Sequence, residues 1–336
     1  MSHPAPQPLE PSALMQLHFS FAPARTLISA VQLDVFSALA DGPREAREVA
    51  AHIGATPRGT RMLLDALTGL ELLTKDGGRY QLGPLARRYL VRGSPEYVGA
   101  LFESEALWRA WEGLTEVIRS GRPAQRVDQQ EQAQEFFPIL VRSLHVANRG
   151  PAERLARALG VADRCPLAVL DVACGSGVWG ITVAEAARHA RVTALDFPRV
   201  LELTREYVGR HGVQDRFDYL AGDLRSVDLG ESRFDLSLLG NIVHSEGEEA
   251  SRTLLARVGR ATRPGGLIAI VDMLPNDDRT GPVYPLLFAL NMLVNTEAGD
   301  TFTLPQYTEW LHAAGFAEVR ACDIGSHSPA IVATRR

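Results

Sequence analysis

The residues with the clearest chemical meaning are Asp171 and the glycines of Gly175-Ser-Gly-Val-Trp-Gly180. An apolar run over residues 167–172 ends at these glycines, and residues 181–190 follow with a helical pattern. Glycines between a strand and a helix let backbone N–H groups approach a ligand at the helix N-terminus. The spacing matches G-x-G-x-x-G, and Asp196 lies near the offset of about 20 residues expected of a ribose-binding acid. The segment therefore predicts either a nicotinamide dinucleotide or S-adenosylmethionine (SAM).

Two acidic positions favour SAM. Asp171 lies inside the predicted strand, four residues before the first glycine, where a dinucleotide site is more usually apolar. SAM has no pyrophosphate, and its ammonium group gains from a carboxylate that can hold it directly or through water. Asp223, in Ala221-Gly-Asp-Leu224, follows the next strand, where a carboxylate could bind the adenine amino group. We therefore expect SAM, with a dinucleotide as the alternative.

Strands and helices must alternate to position these residues. The predicted strands are 167–172, 191–195, 217–220, 234–239, 266–272, 318–324 and 330–334, and helices are predicted at 198–211, 246–262 and 304–314. This order is typical of an α/β fold with a doubly wound sheet, which binds ligands at the carboxyl ends of its strands. Asp171, Asp196, Asp223, His244 and Asp272 lie at or near such ends. We expect them to line one site.

The N-terminal part has a different pattern. Residues 14–39, 45–53 and 57–70 show helical spacing, and Asp76-Gly-Gly78 joins two short strands within residues 72–82. Three helices and a hairpin predict a winged helix, which could bind DNA or pair with a second copy. Residues 1–100 contain ten Lys/Arg and nine Asp/Glu, so they lack the basic surface of a DNA-binding domain. We expect a dimerisation module.

The predicted organisation has four segments. They are a flexible leader (1–12), a winged-helix dimerisation domain (13–104), linking helices that wall the pocket (105–160) and the SAM-binding domain (161–336).

Composition excludes several classes of function. The net charge of −5 argues against a general polyanion binder, and Lys75 is the only lysine, which excludes Schiff-base and pyridoxal chemistry. The three cysteines show no metal-ligand spacing, which favours a reduced cytoplasmic setting and no metal. The sequence shows no signal-peptide pattern and no apolar run long enough for a bilayer. We expect an intracellular protein without nucleic-acid or membrane partners.

Several motifs together resemble one family. The glycine motif, Asp196-Phe-Pro198, Ala221-Gly-Asp-Leu224, Asn241-Ile-Val-His244 and Ala314-Gly-Phe316 follow a winged helix, and this order resembles the caffeic acid and acetylserotonin O-methyltransferase family from about Leu14 onward. The resemblance implies a class I SAM-methyltransferase Rossmann-like domain, a homodimer through the N-terminal domain, and S-adenosylhomocysteine as product. It assigns cofactor binding to Asp171, Gly175, Gly177, Asp196, Phe197, Asp223, Leu224, Gly240 and Asn241.

His244 matches the general base of that family. It closely follows strand 234–239, and Ser245-Glu-Gly-Glu248 has the sequence of a capping box that begins the next helix. A helix N-terminus favours the neutral imidazole, which can accept a proton. A phenol is about one part in a thousand ionised at pH 7, a deficit of about 4 kcal/mol that a nearby base can relieve. The alternative is a histidine that only lines the pocket.

The catalytic carboxylates depart from the family pattern. Asp272 is the counterpart of one of them, whereas the other falls at Thr301, beside Asp300. Gly240 also replaces a lysine that often flanks the adenine. We assign His244 and Asp272 as catalytic. C- or N-methylation remains an alternative, as does a SAM-binding enzyme that catalyses decarboxylation, hydroxylation or a pericyclic reaction without methyl transfer.

The acceptor is expected to be an aromatic or polyketide-like small molecule with a hydroxyl group. Individually, large apolar residues are more often core than pocket, and a histidine such as His145 is more often a core or surface residue than a substrate contact. The candidate acceptor-binding residues are Phe19, Trp108, Phe137, His145, Phe288, Asn291, Met292 and Asn295.

Overall fold

The structure is a computed structural model that describes residues 10–103, 105–125 and 130–336, without the side chains of residues 130–137. The chain divides into two compact units, which meet in sequence at Glu105 and Ala106. No helix in the described ranges is long and apolar enough to cross a bilayer.

The first unit combines short helices with a small antiparallel sheet. Its elements are α1 (Pro11–Phe19), α2 (Phe21–Gln32), α3 (Val35–Ala38), β1 (Arg44–Glu45), α4 (Ala46–His52), α5 (Pro57–Gly69), β2 (Leu73–Asp76), β3 (Arg79–Leu82), α6 (Pro84–Tyr89) and α7 (Ala100–Glu103). Thr56 caps α5 by accepting the Gly59 N–H, and Pro57 occupies the first turn, where its missing N–H costs little. Phe36, Leu64 and Tyr80 are buried in the core of this unit.

The second unit contains the larger sheet. Its elements are α8 (Ala106–Glu112), α9 (Leu114–Ser120), α10 (Gln130–Ala158), β4 (Leu167–Val172), α11 (Val178–Ala186), β5 (Ala190–Asp196), α12 (Pro198–Arg210), β6 (Phe217–Ala221), β7 (Phe234–Gly240), α13 (Val243–Glu246), α14 (Glu248–Ala261), β8 (Thr262–Val271), α15 (Val283–Asn295), α16 (Leu304–Ala313), β9 (Phe316–Cys322) and β10 (Ala330–Arg335).

The strands of the second unit form one mixed sheet in the order β6-β5-β4-β7-β8-β10-β9. The first five are parallel, whereas β10 runs antiparallel to both β8 and β9. The predicted α/β fold is therefore confirmed. Within the predicted linking segment, residues 105–120 form two short helices, α8 and α9, whereas α15 has no counterpart among the helices predicted from the sequence.

The strand order groups the predicted site residues. Asp171 lies on β4, which is flanked by β5 on one side and β7 on the other. The predicted cofactor residues follow β4, β5, β6 and β7, and the predicted catalytic residues follow β7 and β8. Because parallel strands end at the same edge of a sheet, the two groups are neighbours across the β4–β7 and β7–β8 pairs.

Candidate active site

Asp171 is a buried carboxylate with one unsatisfied oxygen. It has no exposed surface, and its Oδ2 accepts the Gly180 N–H at 3.0 Å. Its Oδ1 is buried without a hydrogen-bond partner in the described part of the chain. Burial, reinforced by the nearby Asp196 carboxylate, raises the pKa of Asp171 to about 8. A cationic donor on a ligand, such as the ammonium group of SAM, would satisfy Oδ1.

The glycine turn can be built only with glycine at key positions. Gly175 and Gly177 have φ of 56° and 75°, and a Cβ at Gly177 would lie 3.0 Å from Thr204 Cγ2. A Cβ at Gly180 would lie 2.8 Å from both Asp171 Oδ2 and Val192 Cγ1. The glycines therefore let α11 begin directly against β4 and β5, which leaves backbone N–H groups near the strand ends.

Asp196 is tied to the same turn. Its Oδ2 accepts the Gly175 N–H at 2.9 Å and its Oδ1 accepts the Phe197 N–H at 2.8 Å. Burial raises the pKa of Asp196 to about 6 against the opposing effect of these bonds. Each carboxylate oxygen can accept a further hydrogen bond. The pair of oxygens therefore suits a vicinal diol, such as the two hydroxyls of a ribose.

The remaining predicted cofactor residues lie on fixed backbone turns. Asp223 Oδ1 accepts the Arg225 N–H at 2.8 Å, and Arg257 donates to the Leu224 carbonyl. The Asn241 N–H donates to the Val271 carbonyl at 2.8 Å.

Gly240 is constrained by a tryptophan. A Cβ at this position would lie 2.1 Å from Trp179 Nε1. No side chain fits there while the indole keeps its place.

The predicted catalytic residues form a buried pair. His244 Nδ1 lies 2.6 Å from Asp272 Oδ1, and Asp272 has no exposed surface. Because a carboxylate can only accept, Nδ1 carries the proton and Nε2 keeps its lone pair. The ring of Phe288 packs edge-on against the imidazole, with centroids 4.9 Å apart. The arrangement fixes the tautomer in which Nε2 can accept a proton.

The predicted capping box beside His244 is wrong. His244 lies in α13, a single turn, and α14 begins at Glu248 with Gly247 as its N-cap and no side-chain cap. Ser245 Oγ instead donates to the Ile242 carbonyl at 2.8 Å. Gly247 has φ of 76°, so the chain bends between α13 and α14. The Ser245 side chain therefore makes its hydrogen bond at the start of α13 and does not cap α14.

No second carboxylate lies at the position expected from the family. Thr301 Oγ1 donates to the Pro285 carbonyl at 3.3 Å. The Asp300 carboxylate lies 3.6 Å from Arg279, while its backbone N–H donates to the His244 carbonyl at 2.9 Å. Asp300 thus supports the backbone of His244, and Asp272 is the carboxylate that contacts its ring.

Two asparagines on α15 belong to a chain of hydrogen bonds. Asn291 Oδ1 accepts from Trp111 Nε1 and from Asn295 Nδ2, both at 3.0 Å. Asn295 Oδ1 accepts from Gln125 Nε2 at 2.5 Å. Because indole N–H can only donate, the Asn291 amide has a fixed orientation. Sequence reasoning missed Trp111 as its partner, since the two residues lie 180 positions apart.

His145 lies with the cofactor residues. Its Nδ1 is 2.9 Å from Ser176 Oγ in the glycine turn, and its ring stacks on Tyr207 with centroids 4.0 Å apart. Burial, then the positive field of His211 and Arg149, lowers the pKa of His145 to about 4. It is therefore neutral at physiological pH. The contact with Ser176 associates it with the cofactor turn, whereas the sequence suggested the acceptor.

The other predicted acceptor residues differ in their surroundings. Phe19 lies on α1 of the first unit with 64% of its surface exposed. Trp108 is on α8 and partly buried, and Met292 is buried on α15. The side chain of Phe137 lies outside the described residues.

Known proteins match this chain over nearly its whole length. A profile of the O-methyltransferase domain matches residues 157–317, and one of the O-methyltransferase dimerisation domain matches residues 15–92. The tetracenomycin polyketide synthesis 8-O-methyl transferase of Streptomyces glaucescens is 32% identical over 321 residues, or 92% of each chain. The 3-hydroxy-5-methyl-1-naphthoate 3-O-methyltransferase of Streptomyces sahachiroi is 32% identical over 331 residues, or 96% of this chain and 94% of that enzyme.

A solved structure has the same fold. Human N-acetylserotonin methyltransferase, in complex with SAM, superposes with a TM-score of 0.84 and 25% identity over 99% of both chains.

Proposed function

This chain belongs to the O-methyltransferase family and is a SAM-dependent methyltransferase, and from that premise we propose that it methylates a hydroxyl group of an aromatic or polyketide-like small molecule with His244 as general base. The pairing of His244 with Asp272 at 2.6 Å carries the proposal. The two relatives from Streptomyces, which are named as enzymes of tetracenomycin polyketide and naphthoate O-methylation, support the class of acceptor.

The residues of the dyad divide the proton chemistry between them. Asp272 holds Nδ1–H, so the lone pair of His244 Nε2 is available to the acceptor hydroxyl. As the proton reaches Nε2, the Asp272 carboxylate stabilises the positive charge that develops on the imidazole. The acceptor oxygen gains a methyl group as it loses the proton. Phe288 excludes water from one side of the imidazole ring.

The residues at the glycine turn fit SAM. The unsatisfied Asp171 Oδ1 suits its ammonium group, Asp196 suits the ribose, and Asp223 with Leu224 suits the adenine. Bound SAM supplies an electrophilic methyl group on a positively charged sulfur. Phe197, Gly240 and Asn241 complete the proposed cofactor set.

The α15 helix supplies the proposed acceptor face. Phe288, Asn291, Met292 and Asn295 recur at helical spacing, and Phe288 contacts His244. The Asn291 oxygen accepts two hydrogen bonds, while its NH₂ group has no hydrogen-bond partner among the described residues. This NH₂ group therefore suits a carbonyl or phenol oxygen of the acceptor. We expect Asn291→Leu to raise KM for the acceptor without changing SAM affinity. An unchanged KM would remove Asn291 from the acceptor site.

Transfer is tested first with methyl-deuterated SAM and an extract of small molecules from the host. Mass spectrometry should find a labelled product that fragments as a methyl ether, together with one equivalent of S-adenosylhomocysteine. A label on nitrogen or carbon would reassign the reaction, and product without S-adenosylhomocysteine would indicate catalysis without methyl transfer.

The base is tested by His244→Ala. We expect turnover to fall at least about tenfold, because no base then lowers the free-energy cost of ionising the acceptor hydroxyl. The Kd for SAM should stay within about twofold. The matched control is His312→Ala, which removes an exposed histidine on α16 and should leave turnover unchanged. Full activity in His244→Ala would show that the histidine only lines the pocket.

The first unit is proposed to form a homodimer. It matches the dimerisation profile, and α1 exposes Leu14, Met15, Leu17 and Phe19, each at least 64% accessible. In this proposal residues 13–104 form the dimer and residues 105–160 wall the pocket. We expect a dimer in light scattering, and a monomer for the double variant Leu17→Glu and Phe19→Glu. A wild-type monomer would contradict it.

The setting of the enzyme is proposed from its cysteines and charge. Cys165, Cys174 and Cys322 are all free thiols, which is typical of the reducing cytoplasm. With a net charge of −5, we propose no nucleic-acid or membrane partner. A salt-dependent gel shift or co-sedimentation with anionic vesicles would contradict this proposal.

A further inference from the structure

Tyr307, on α16, contacts the catalytic pair from a part of the chain that the mechanism above does not use. Its side chain has no exposed surface, and its hydroxyl donates to Asp272 Oδ2 at 3.3 Å. The ring packs edge-on against Phe302 and Trp310, with centroids 6.2 and 5.6 Å away. Phenylalanine would satisfy these apolar contacts equally well. A buried hydroxyl is costly unless it is bonded, so the partner at Asp272 is what accounts for a tyrosine here.

The hydrogen bonds of Asp272 show what the hydroxyl adds. Oδ1 accepts from His244 Nδ1 at 2.6 Å and from the Met273 N–H at 2.8 Å. Oδ2 accepts from the His244 N–H at 3.0 Å and from Tyr307. Within the described residues, the only ion-pair partner of Asp272 is His244. Within the part of the chain that the structure describes, four hydrogen bonds therefore hold the buried negative charge, and Tyr307 supplies the only side-chain hydroxyl among them.

The position of the hydroxyl is fixed by the start of α16. Thr303 Oγ1 accepts the Gln306 N–H, the Gln306 side chain accepts the Thr303 N–H at 2.9 Å, and the Tyr307 N–H donates to the Thr303 carbonyl. This capping box fixes the first turn on which Tyr307 lies. Burial and the adjacent Asp272 hold the pKa of Tyr307 well above its usual range, so it remains a donor throughout the working pH range.

We propose that Tyr307 is a positioning residue that acts through Asp272 to set the orientation and proton affinity of His244, a role that rests on the proposed function of His244 as base. A donor at Oδ2 draws negative charge away from Oδ1, which weakens the pull of Asp272 on the imidazolium. Tyr307 thereby moderates the negative charge that Asp272 presents to His244 Nδ1, and it fixes the position of the carboxylate beside the imidazole.

The sign of the effect on pH dependence follows. Without the hydroxyl, the Asp272–His244 pair binds its proton more tightly, so the acidic limb of kcat/KM moves to higher pH. Among the titratable groups on the neighbouring segments, Asp300 pairs with Arg279 and Glu246 pairs with Arg225. On α16 itself, Glu309 pairs with Arg252 and His312 is exposed. Tyr307→Phe leaves all of these groups in place, so they contribute the same background to the wild type and the variant.

The test is Tyr307→Phe, assayed for methyl transfer from pH 5 to 9. We expect the midpoint of the acidic limb of kcat/KM to rise by up to about one pH unit, so that kcat/KM on the acidic side falls by up to about tenfold, with unchanged SAM affinity. The matched control is Tyr80→Phe. Tyr80 is also buried and donates to a carboxylate, Asp65 Oδ1, at 2.7 Å, but it lies in the other unit. The control should lower the melting temperature and leave the pH profile unchanged.

Further variants separate the possible failures. In an Asp272→Asn background, Tyr307→Phe should have no further effect on kcat, because its route to His244 is already cut. If Tyr307→Phe does not fold, 3-fluorotyrosine at position 307 is a stronger donor of nearly the same shape, and it should move the acidic limb to lower pH. An unmoved limb in the folded variants would overturn the proposal for Tyr307 while His244→Ala still abolishes turnover. Full turnover in His244→Ala would overturn both.

Discussion

Asp272→Asn tests the dyad most directly, because it keeps the shape of the side chain and removes its charge. In the wild type, both oxygens of Asp272 accept hydrogen bonds from backbone N–H groups: Oδ2 accepts from His244 and Oδ1 accepts from Met273. The NH₂ group of the new amide must therefore face a donor on either side. If it takes the side of Oδ1, it donates to His244 Nδ1 and moves the ring proton to Nε2, which can then no longer act as a base.

The magnitude follows from the geometry of the pair. With charge centres about 4 Å apart and an effective dielectric of about 20, the carboxylate stabilises a full imidazolium by about 4 kcal/mol. If the proton is half transferred in the transition state, kcat falls about 30-fold; if it is fully transferred, kcat falls about 10³-fold. If the NH₂ group of the new amide takes the position of Oδ1, Nε2 is protonated, and the fall in kcat should lie near the ~10³-fold end of this range.

The assay is transfer of a labelled methyl group at saturating SAM and acceptor. SAM affinity, measured by calorimetry, should remain within about twofold, because within the described residues the Asp272 carboxylate is hydrogen-bonded to His244, Met273 and Tyr307 and to no residue of the glycine turn. The melting temperature and the crystal structure of the variant should match those of the wild type, which would show that a fall in kcat is not a loss of folding. A kcat within about threefold of wild type would refute the assignment of Asp272 as the partner of the base.

Two further predictions concern the cofactor turn. Burial raises the pKa of Asp171 from its ordinary value of 3.8 to about 8, so the folded protein loses stability as the pH rises between these two values. Asp171→Asn should therefore raise the melting temperature of the SAM-free protein, by a difference that grows from pH 5 to 8. The same variant should weaken SAM binding at least about tenfold and abolish its tightening between pH 6 and 8, and pH-independent binding in the wild type would contradict the contact of Asp171 with the ammonium group. Gly240→Ala should displace Trp179 and weaken SAM binding, measured by calorimetry and by tryptophan fluorescence, whereas Gly209→Ala, whose Cβ meets nothing within 4 Å, should change neither.

The parts of the site that lie on parallel strand ends could be predicted from the sequence. Asp171 and Asp196 follow apolar runs whose period and length indicate buried strands, and glycines mark the turn between them. His244 and Asp272 could be predicted to be neighbours in the same way, because adjacent parallel strands end at the same edge of the sheet. Their 2.6 Å contact confirms that the strands β7 and β8 are adjacent.

The features of the site that could not be predicted from the sequence depend on contacts between distant segments. Nothing local distinguishes Tyr307 from any other aromatic residue of an amphipathic helix, and its meaning appears only once α16 packs against the end of β8. The partnership of Trp111 with Asn291 is equally long-range. At Ser245 the local pattern was present but a positive φ at Gly247 redirected the chain, so tertiary geometry overrode the capping signal.

The placement of β10 has a consequence for how the protein is made. β10 follows β9 in the chain, yet it lies between β8 and β9 in the sheet. Because β8 is translated well before β10, the outer edge of β8 stays open in the nascent chain until residues 330–335 have been made and have left the ribosome. Unpaired edges invite association between nascent chains, so this interval is when the protein most needs a chaperone. Slow codons just before position 330 would lengthen that exposure, and expression yield should respond to them.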